Sequence, residues 1–150
     1  MNDTPGKFVG LILAIILSIL VPFQIIVVND EMNNRRLIVE DMRDYIDSII
    51  DGRLNSDADR KSFETKLASY GMILDYDVTR YSRTVNPDPL SGDSYYVTYI
   101  EMDDTTTFNK GDKVTLHVYQ ISGTTTGNLA HRLTGLFIRD FDVSITARVR

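Results

Sequence analysis

The spacing of hydrophobic and polar positions divides this chain into three parts. Residues 8–28, FVGLILAIILSILVPFQIIVV, carry no charge, and sixteen of them are Phe, Val, Leu or Ile. About 20 apolar residues, each rising about 1.5 Å along a helix, cross the roughly 30 Å hydrocarbon core of a bilayer. We therefore predict a membrane-spanning helix at 8–28, preceded by a short polar leader at 1–7.

The length of this segment bears on whether it is removed. A secretory signal peptide has an apolar region of about 7–15 residues and ends at small residues. Here the apolar run is longer and continues into Val27-Val28-Asn29-Asp30, which offers no small residues. The pattern favours an anchor that the mature protein retains.

Apolar residues recur every three or four positions after the anchor, as on one face of an amphipathic helix at 29–53. No Pro or Gly interrupts residues 23–51, so one long helix is predicted to contain both segments and to end at Gly52. The apolar face can pack on other subunits or cover the sheet of its own domain. We call it the helix stripe, and it comprises Leu37, Ile38, Met42, Tyr45, Ile46, Ile49 and Ile50.

The remaining residues, 54–150, are predicted to form a small α+β head. A short helix at 55–71 is expected to be capped by Ser56 or Asp57 and ended by Gly71, with Phe63 and Leu67 on its apolar side. A second short helix is expected to begin at Asn128 and to place four apolar residues on one face: Leu129, Leu133, Leu136 and Phe137.

Strict alternation of apolar and polar residues predicts about four strands in the head. Short connections favour an antiparallel meander of the middle strands, covered on one face by the long helix. Residues 95–100, YYVTYI, are expected to lie in the centre of the sheet, or to form an adhesive edge if they are left unpaired. The predicted strands are 72–79, 95–102, 114–119 and 141–149, and the predicted loops between them are 82–93, 103–112 and 123–127.

Charge and residue types exclude several functions. The formal net charge is −5 and no basic stripe is present, so nucleic acid is not an expected partner. The chain has no cysteine. His117 and His131 lack metal-ligand spacing, and no nucleophile elbow or phosphate-binding loop occurs, so we predict neither an enzyme nor a cofactor. Four residues suit either a calcium loop or a solvated turn: Asp103, Asp104, Asn109 and Asp112.

The apolar segment, its leader and the small head together resemble the type IV pilins and pseudopilins, and most closely the TadE-type minor pilins of Tad (Flp) pilus systems. Pro22 within the apolar run adds to the likeness. The resemblance implies that a prepilin peptidase cuts after Gly6 and leaves Lys7 as the new N-terminus. Pilins usually carry Glu five residues after the cut, where this chain has Leu11; minor subunits can lack it.

Two functional hypotheses follow. The first is a structural subunit of a surface filament or its assembly machinery, which contacts lipid and copies of itself or other pilin-like subunits through its apolar helix. The second is a single-span membrane-anchored binding or accessory protein, with loops 82–93 and 103–112 as its contact surface. The expected location is the membrane, as a single-pass protein with an extracytoplasmic head, or a cell-surface filament. The residues assigned to assembly are Phe8, Gly10, Leu13, Ile16, Leu20, Pro22 and Gln24.

Overall fold

The computed structural model describes residues 4–52, 56–89, 94–103, 107–135 and 139–150. The fold is α+β, as predicted: a long N-terminal helix, two further helices and a four-stranded antiparallel sheet. The elements in chain order are α1 (Thr4–Gly52), α2 (Asp57–Ser69), β1 (Ile73–Pro87), β2 (Tyr95–Glu101), β3 (Lys113–Ser122), α3 (Thr125–Thr134) and β4 (Asp142–Arg148).

Helix α1 is continuous over 49 residues and is therefore about 70 Å long. Pro22 lies inside it without ending it. Because proline has no N–H, the carbonyl of Ser18 loses its usual intrahelical donor. The Ser18 hydroxyl donates in turn to the carbonyl of Ala14. The prediction of one helix that contains both the apolar segment and the stripe is confirmed, and the described part of α1 extends to Gly52.

The helix stripe packs inside its own head. Five of its residues are at most 4% exposed, and they join the buried side chains of β3, including Leu116 and Val118, in one core. Residues 38–49 therefore belong structurally to the head, and of the two roles left open for the stripe, covering its own sheet is the one observed. The buried stripe residues are Ile38, Met42, Tyr45, Ile46 and Ile49; Leu37 is half-buried.

Helix α2 begins as its sequence predicts. The hydroxyl of Ser56 accepts a hydrogen bond from the backbone N–H of Asp59 at 3.1 Å, which is an N-cap. Phe63 and Leu67 are buried against the core. Gly71 follows the last turn with φ of +69°, a left-handed conformation that glycine adopts without steric cost.

The strand order β2-β1-β3-β4 differs from the predicted meander. Strand β1 has 15 residues, and it pairs through residues 73–81 with β3 and through residues 81–87 with β2. One long strand therefore serves two partners, and the chain passes from β2 to β3 across it. The predicted loop 82–93 was wrong over residues 82–87. At Pro87, strand β1 pairs with β2 alone and its other side is open, so the proline is tolerated as on an edge strand.

The two faces of the sheet differ in polarity. Alternate residues of β1, β3 and β4 face α1 and the core. The opposite face carries polar pairs between neighbouring strands: Thr115 with Thr146 at 2.9 Å, His117 with Asp142 at 2.8 Å, and Tyr119 with Asp75 at 3.1 Å. Such a face needs no covering layer.

Helix α3 starts earlier than predicted. Its N-cap is Thr124, whose hydroxyl accepts from the N–H of Gly127 at 2.9 Å, so Asn128 lies within the helix. Leu129 and Leu133 share one face of the helix, as predicted, but that face is exposed, and the small residue Ala130 is buried instead. Leu136 and Phe137, assigned to the same face, lie outside the described residues.

Candidate functional site: the projecting apolar helix

The first half of α1 is the most unusual surface of the described chain. Every described side chain from Gly6 to Ile19 is exposed, and most of them are large and apolar. Among the predicted assembly residues, Phe8, Leu13 and Ile16 are 66%, 56% and 49% exposed. An exposed apolar surface of this extent indicates contact with lipid or with another protein.

Among the predicted assembly residues, Gly10 is the one that has no side chain. A Cβ placed on it would meet no atom of this chain within 4 Å. In helices surrounded by lipid, small residues let a neighbouring backbone approach closely. A larger residue at position 10 would therefore leave the chain itself undisturbed and would affect only a neighbouring helix.

One face of α1 changes character between Leu20 and Glu31. Leu20, Phe23 and Gln24 are half-buried, and Val27 and Glu31 are buried, although Ile25 and Ile26 remain exposed. These covered positions recur every three or four residues and so share one side of the helix. The head therefore extends alongside the last turns of the apolar segment on that side. Pro22, also assigned to assembly, is exposed.

A polar cluster fixes the head to α1 at this level. Arg35 forms an ion pair with Glu31 at 3.3 Å, donates to the carbonyl of Arg139, and lies with its guanidinium 5.9 Å from the ring centroid of Phe141. The Thr124 hydroxyl donates to the other carboxylate oxygen of Glu31 at 3.5 Å. Neither Glu31 nor Thr124 was predicted from the sequence to take part in this site. The i,i+4 spacing of Glu31 and Arg35 was a signal that could have identified the pair.

The anchor and the head share one helix. From the exposed apolar residues to the buried Ile38, α1 has no break within the described residues 4–52. A helix resists bending far more than a flexible linker does. A force or displacement at residues 8–26 is therefore transmitted directly to the core of the head.

Strand β2 forms one edge of the sheet. The N–H of Asp88 donates to the backbone carbonyl of Ser94 at 2.8 Å, and the N–H of Met102 donates to the backbone carbonyl of Arg80 at 2.9 Å. Because hydrogen-bonded pairs alternate along an antiparallel ladder, even-numbered residues of β2 face β1 and odd-numbered residues present their N–H and C=O groups outward. The expectation that residues 95–100 form a central strand was wrong, and the edge alternative is confirmed.

The edge strand is also apolar on its surface. Tyr95 is 71% exposed, and Val97 and its partner across the ladder, Val85, are both exposed. Edge strands of soluble proteins commonly carry charges or proline that prevent pairing with other chains. In β2 the first charge is Glu101, the last residue of the strand. This edge is a second candidate contact surface.

The loop proposed to bind calcium uses Asp112 for its own structure. Asp112 is 1% exposed, and its two carboxylate oxygens accept the N–H groups of Arg83 at 2.8 Å and Asn109 at 2.7 Å. Both oxygens are thus engaged by backbone donors. Asp103 is exposed, and its carbonyl accepts from the buried Arg80 at 3.2 Å. Asp104 lies outside the described residues.

The histidines do not meet. His117 lies on the open face of the sheet in β3, whereas His131 is an exposed residue of α3. Within the described ranges, no group of three or more His, Cys, Asp or Glu side chains is placed to hold a metal ion. A depression of 1240 Å³ at the far end of α1 brings together charges of both signs, among them Asp47, Asp51 and Arg83.

Gly6 and Lys7, the residues of the predicted processing site, lie exposed in the first turns of α1. In the described part of the chain, α1 is also the one helix that is long and apolar enough to cross a membrane. Comparison with family models, with curated proteins and with solved structures finds no match to this chain.

Proposed function

We propose that this protein is a membrane-anchored structural subunit whose apolar helix assembles with sister helices into a pilin-like filament or its membrane assembly machinery. The observation that carries the proposal is the continuity of α1, which runs from an exposed apolar segment into the buried core of the head without a linker. A head that only captured a ligand would gain reach from a flexible tether. A subunit of an ordered assembly needs its head held in one orientation to its helix.

The chemistry of the helix surface supports the same role. Apolar helices in lipid gain little from apolarity alone, because lipid tails are equally apolar, so they associate through close packing and a few polar contacts. Gly10 supplies a position for close packing, and Ser18 and Gln24 supply the polar groups. Identical helices that pack in this way, with the heads in water, form a heterologous and open assembly.

The experiment is substitution at Gly10 in the organism that produces the protein, followed by electron microscopy of sheared surface material and cross-linking in membranes. Gly10→Leu is expected to abolish assembly, and Gly10→Ala to weaken it, because the added atoms contact only a neighbouring helix. Ile16→Arg is expected to abolish assembly as well. Ile12→Leu, which conserves volume on the same helix, is the matched control.

Each variant needs a measurement of the folded head, since loss of protein would also remove filaments. Near-ultraviolet circular dichroism in detergent is expected to be unchanged, because residues 10 and 16 do not belong to the core. If the Gly10→Leu variant assembled to the same extent as the wild type, the proposal would be overturned. Mass spectrometry of the native N-terminus tests processing separately, and the expected product begins at Lys7.

A further inference from the structure

Helix α3 presents an apolar side that its own head does not cover. Leu129 and Leu133 are 50% and 59% exposed, and their i,i+4 spacing places them on one side of the helix. The side that faces α1 carries Ala130, which is fully buried, with Gly127 and Thr134 half-buried beside it. Two leucines have thus been left to solvent on a helix whose inward positions are small.

The position of α3 along α1 indicates what covers these leucines. Its N-cap Thr124 contacts Glu31, which lies three residues after the end of the apolar run at 8–28. Three residues of helix amount to about 4.5 Å, whereas the headgroup region on each side of a bilayer is about 5–7 Å thick. With residues 8–28 in the bilayer, α3 begins at the level of the lipid headgroups.

The direction in which Leu129 and Leu133 project agrees with a position of α3 at the lipid headgroups. Asn128 and His131 line a polar depression together with Glu31 and Arg35, residues that lie on the head side of the apolar run. Successive helical residues are about 100° apart, so Leu129 and Leu133 project from the opposite flank of α3. On α1, the residues on the membrane side of Glu31 include the half-buried Leu20 and Gln24 and the exposed Ile25.

The charge of α3 fits the same surroundings. The ten residues TTGNLAHRLT contain no acidic side chain, and Arg132 and His131 lie in the last turn. Helices that lie in the membrane interface combine an apolar side with a basic polar side, which suits anionic headgroups. Ile121, three residues before the N-cap, adds another exposed apolar side chain next to the helix in sequence.

We propose that α3 is an interfacial helix, whose Leu129 and Leu133 insert into the headgroup region of the bilayer that α1 spans. The protein then contacts the membrane at two places, through α1 and through α3, and can no longer rotate freely in the bilayer about the axis of α1. This inference rests on the membrane-spanning part of the proposed function and is independent of filament assembly.

The absence of cysteine makes the test direct, because any introduced cysteine is the sole labelling site. Full-length Leu129→Cys and Leu133→Cys are labelled with an environment-sensitive fluorophore and reconstituted into vesicles of phosphatidylcholine and phosphatidylglycerol. Quenching is measured with lipids that carry nitroxides at shallow or deep positions. Ile16→Cys reports the span. Ile100→Cys is the control, because its side chain is exposed and its ladder partner Ser82 lies nine residues along β1 from Ile73, which pairs with Ser122 near the start of α3.

Labels at Leu129 and Leu133 are expected to be quenched by shallow nitroxides at least about threefold more than the label at Ile100, and Ile16 by deep ones. If the labels at Leu129 and Leu133 were quenched no more than the label at Ile100, while the label at Ile16 was quenched, the inference about α3 would be overturned and the membrane span would stand. A label at Ile16 that no lipid quenches would instead refute the membrane span. Leucine labels shielded from water but not quenched by lipid would assign the surface to another protein and also overturn the inference.

Discussion

Tyr45 of α1 and Phe63 of α2 stack face to face, with ring centroids 4.3 Å apart and planes 8° from parallel. The ring of Tyr76 in β1 meets both of them edge-on, at 6.3 Å from Tyr45 and 5.3 Å from Phe63. Aromatic pairs in offset-stacked or edge-to-face arrangements add about 0.5–1.5 kcal/mol beyond the burial of their area. Three elements of the head are therefore joined at one aromatic cluster.

Phe63→Ala is expected to lower the free energy of unfolding of the head by about 3–5 kcal/mol, because it removes a buried ring and leaves a cavity. Urea unfolding of the full-length protein in detergent, followed by near-ultraviolet circular dichroism, measures the change. Tyr95→Ala is the control, since Tyr95 is mostly exposed and its loss is expected to cost far less. Equal losses of unfolding free energy for the two variants would mean that the buried aromatic cluster contributes no more to stability than an exposed tyrosine.

Asp112→Ala is expected to destabilise the head by about 1–3 kcal/mol, because it removes a buried carboxylate and leaves two partly buried N–H groups without their acceptor. The affected groups belong to Arg83 in β1 and to Asn109 in the preceding turn, so the turn is expected to loosen as well. Hydrogen exchange of these two amides reports the loosening.

The control for this prediction is Asp142→Ala, which removes an exposed carboxylate paired with His117. Exposed ion pairs contribute about 0.2–1 kcal/mol, so this variant is expected to remain close to the wild type. Unchanged exchange at Asn109 in Asp112→Ala would contradict the structural role assigned to Asp112.

The head is expected to lose stability in alkaline solution. Burial, together with hydrogen bonds to Asp41 and Glu64, raises the pKa of Tyr70 and of Tyr76 above that of an ordinary tyrosine. The hydrogen bond to Asp41 likewise raises the pKa of Lys66. Above a pH of about 10 the unfolded chain releases these protons and the folded head keeps them, so the unfolded state binds fewer protons and stability falls as pH rises.

The measurement is the free energy of unfolding between about pH 8 and pH 12, where the stabilisation is complete at the lower end and is lost toward the upper. The double variant Tyr70→Phe, Tyr76→Phe is expected to have a shallower slope, because two of the coupled protons are gone. Tyr95→Phe is the exposed control and is expected to keep the wild-type slope. A slope unaffected by the double variant would refute the assignment.

Because the N–H groups of β2 point alternately outward and toward β1, proline is expected to have different effects at the adjacent positions 97 and 98. Val97→Pro removes an outward N–H from the edge and is expected to reduce aggregation with the head still folded, because proline is tolerated on edge strands when its nitrogen faces solvent. Thr98→Pro removes a ladder hydrogen bond to Thr84 and is expected to cost about 1 kcal/mol or more. Light scattering and urea unfolding separate the two. Equal destabilisation would mean that the inferred direction of the edge is wrong.

Local patterns in the sequence predicted the elements well. The stripe from Ile38 to Ile49 has helical spacing, the Ser56 cap is a side chain acting on the next turn, and β4 alternates strictly, so each could be read from neighbouring residues. The strand order could not, because it depends on β1 being long enough to pair with both β2 and β3. That length was hidden by Pro87, which was interpreted as part of a loop.

The candidate site could likewise be predicted only in part, because some of it depends on contacts between residues that are distant in sequence. The apolar run at 8–28 is visible in composition alone, whereas the burial of Glu31 involves a tertiary contact with Thr124, the N-cap of α3. The exposure of Leu129 and Leu133 was also unpredictable, since a leucine pair at i,i+4 normally marks a buried face. Where such a pair is exposed, the surroundings of the whole molecule, including the bilayer, have to be considered.

Fractionation of the native, full-length protein shows whether residues 8–28 are held among lipid tails or sister helices. Membranes from the producing organism are washed with alkaline carbonate, and the pellet and supernatant are compared before and after addition of detergent. A polypeptide that keeps residues 8–28 among lipid tails or sister helices is expected to remain in the pellet and to enter solution only with detergent. A monomer that is freely soluble without detergent, with residues 8–28 still present by mass spectrometry, would contradict the account.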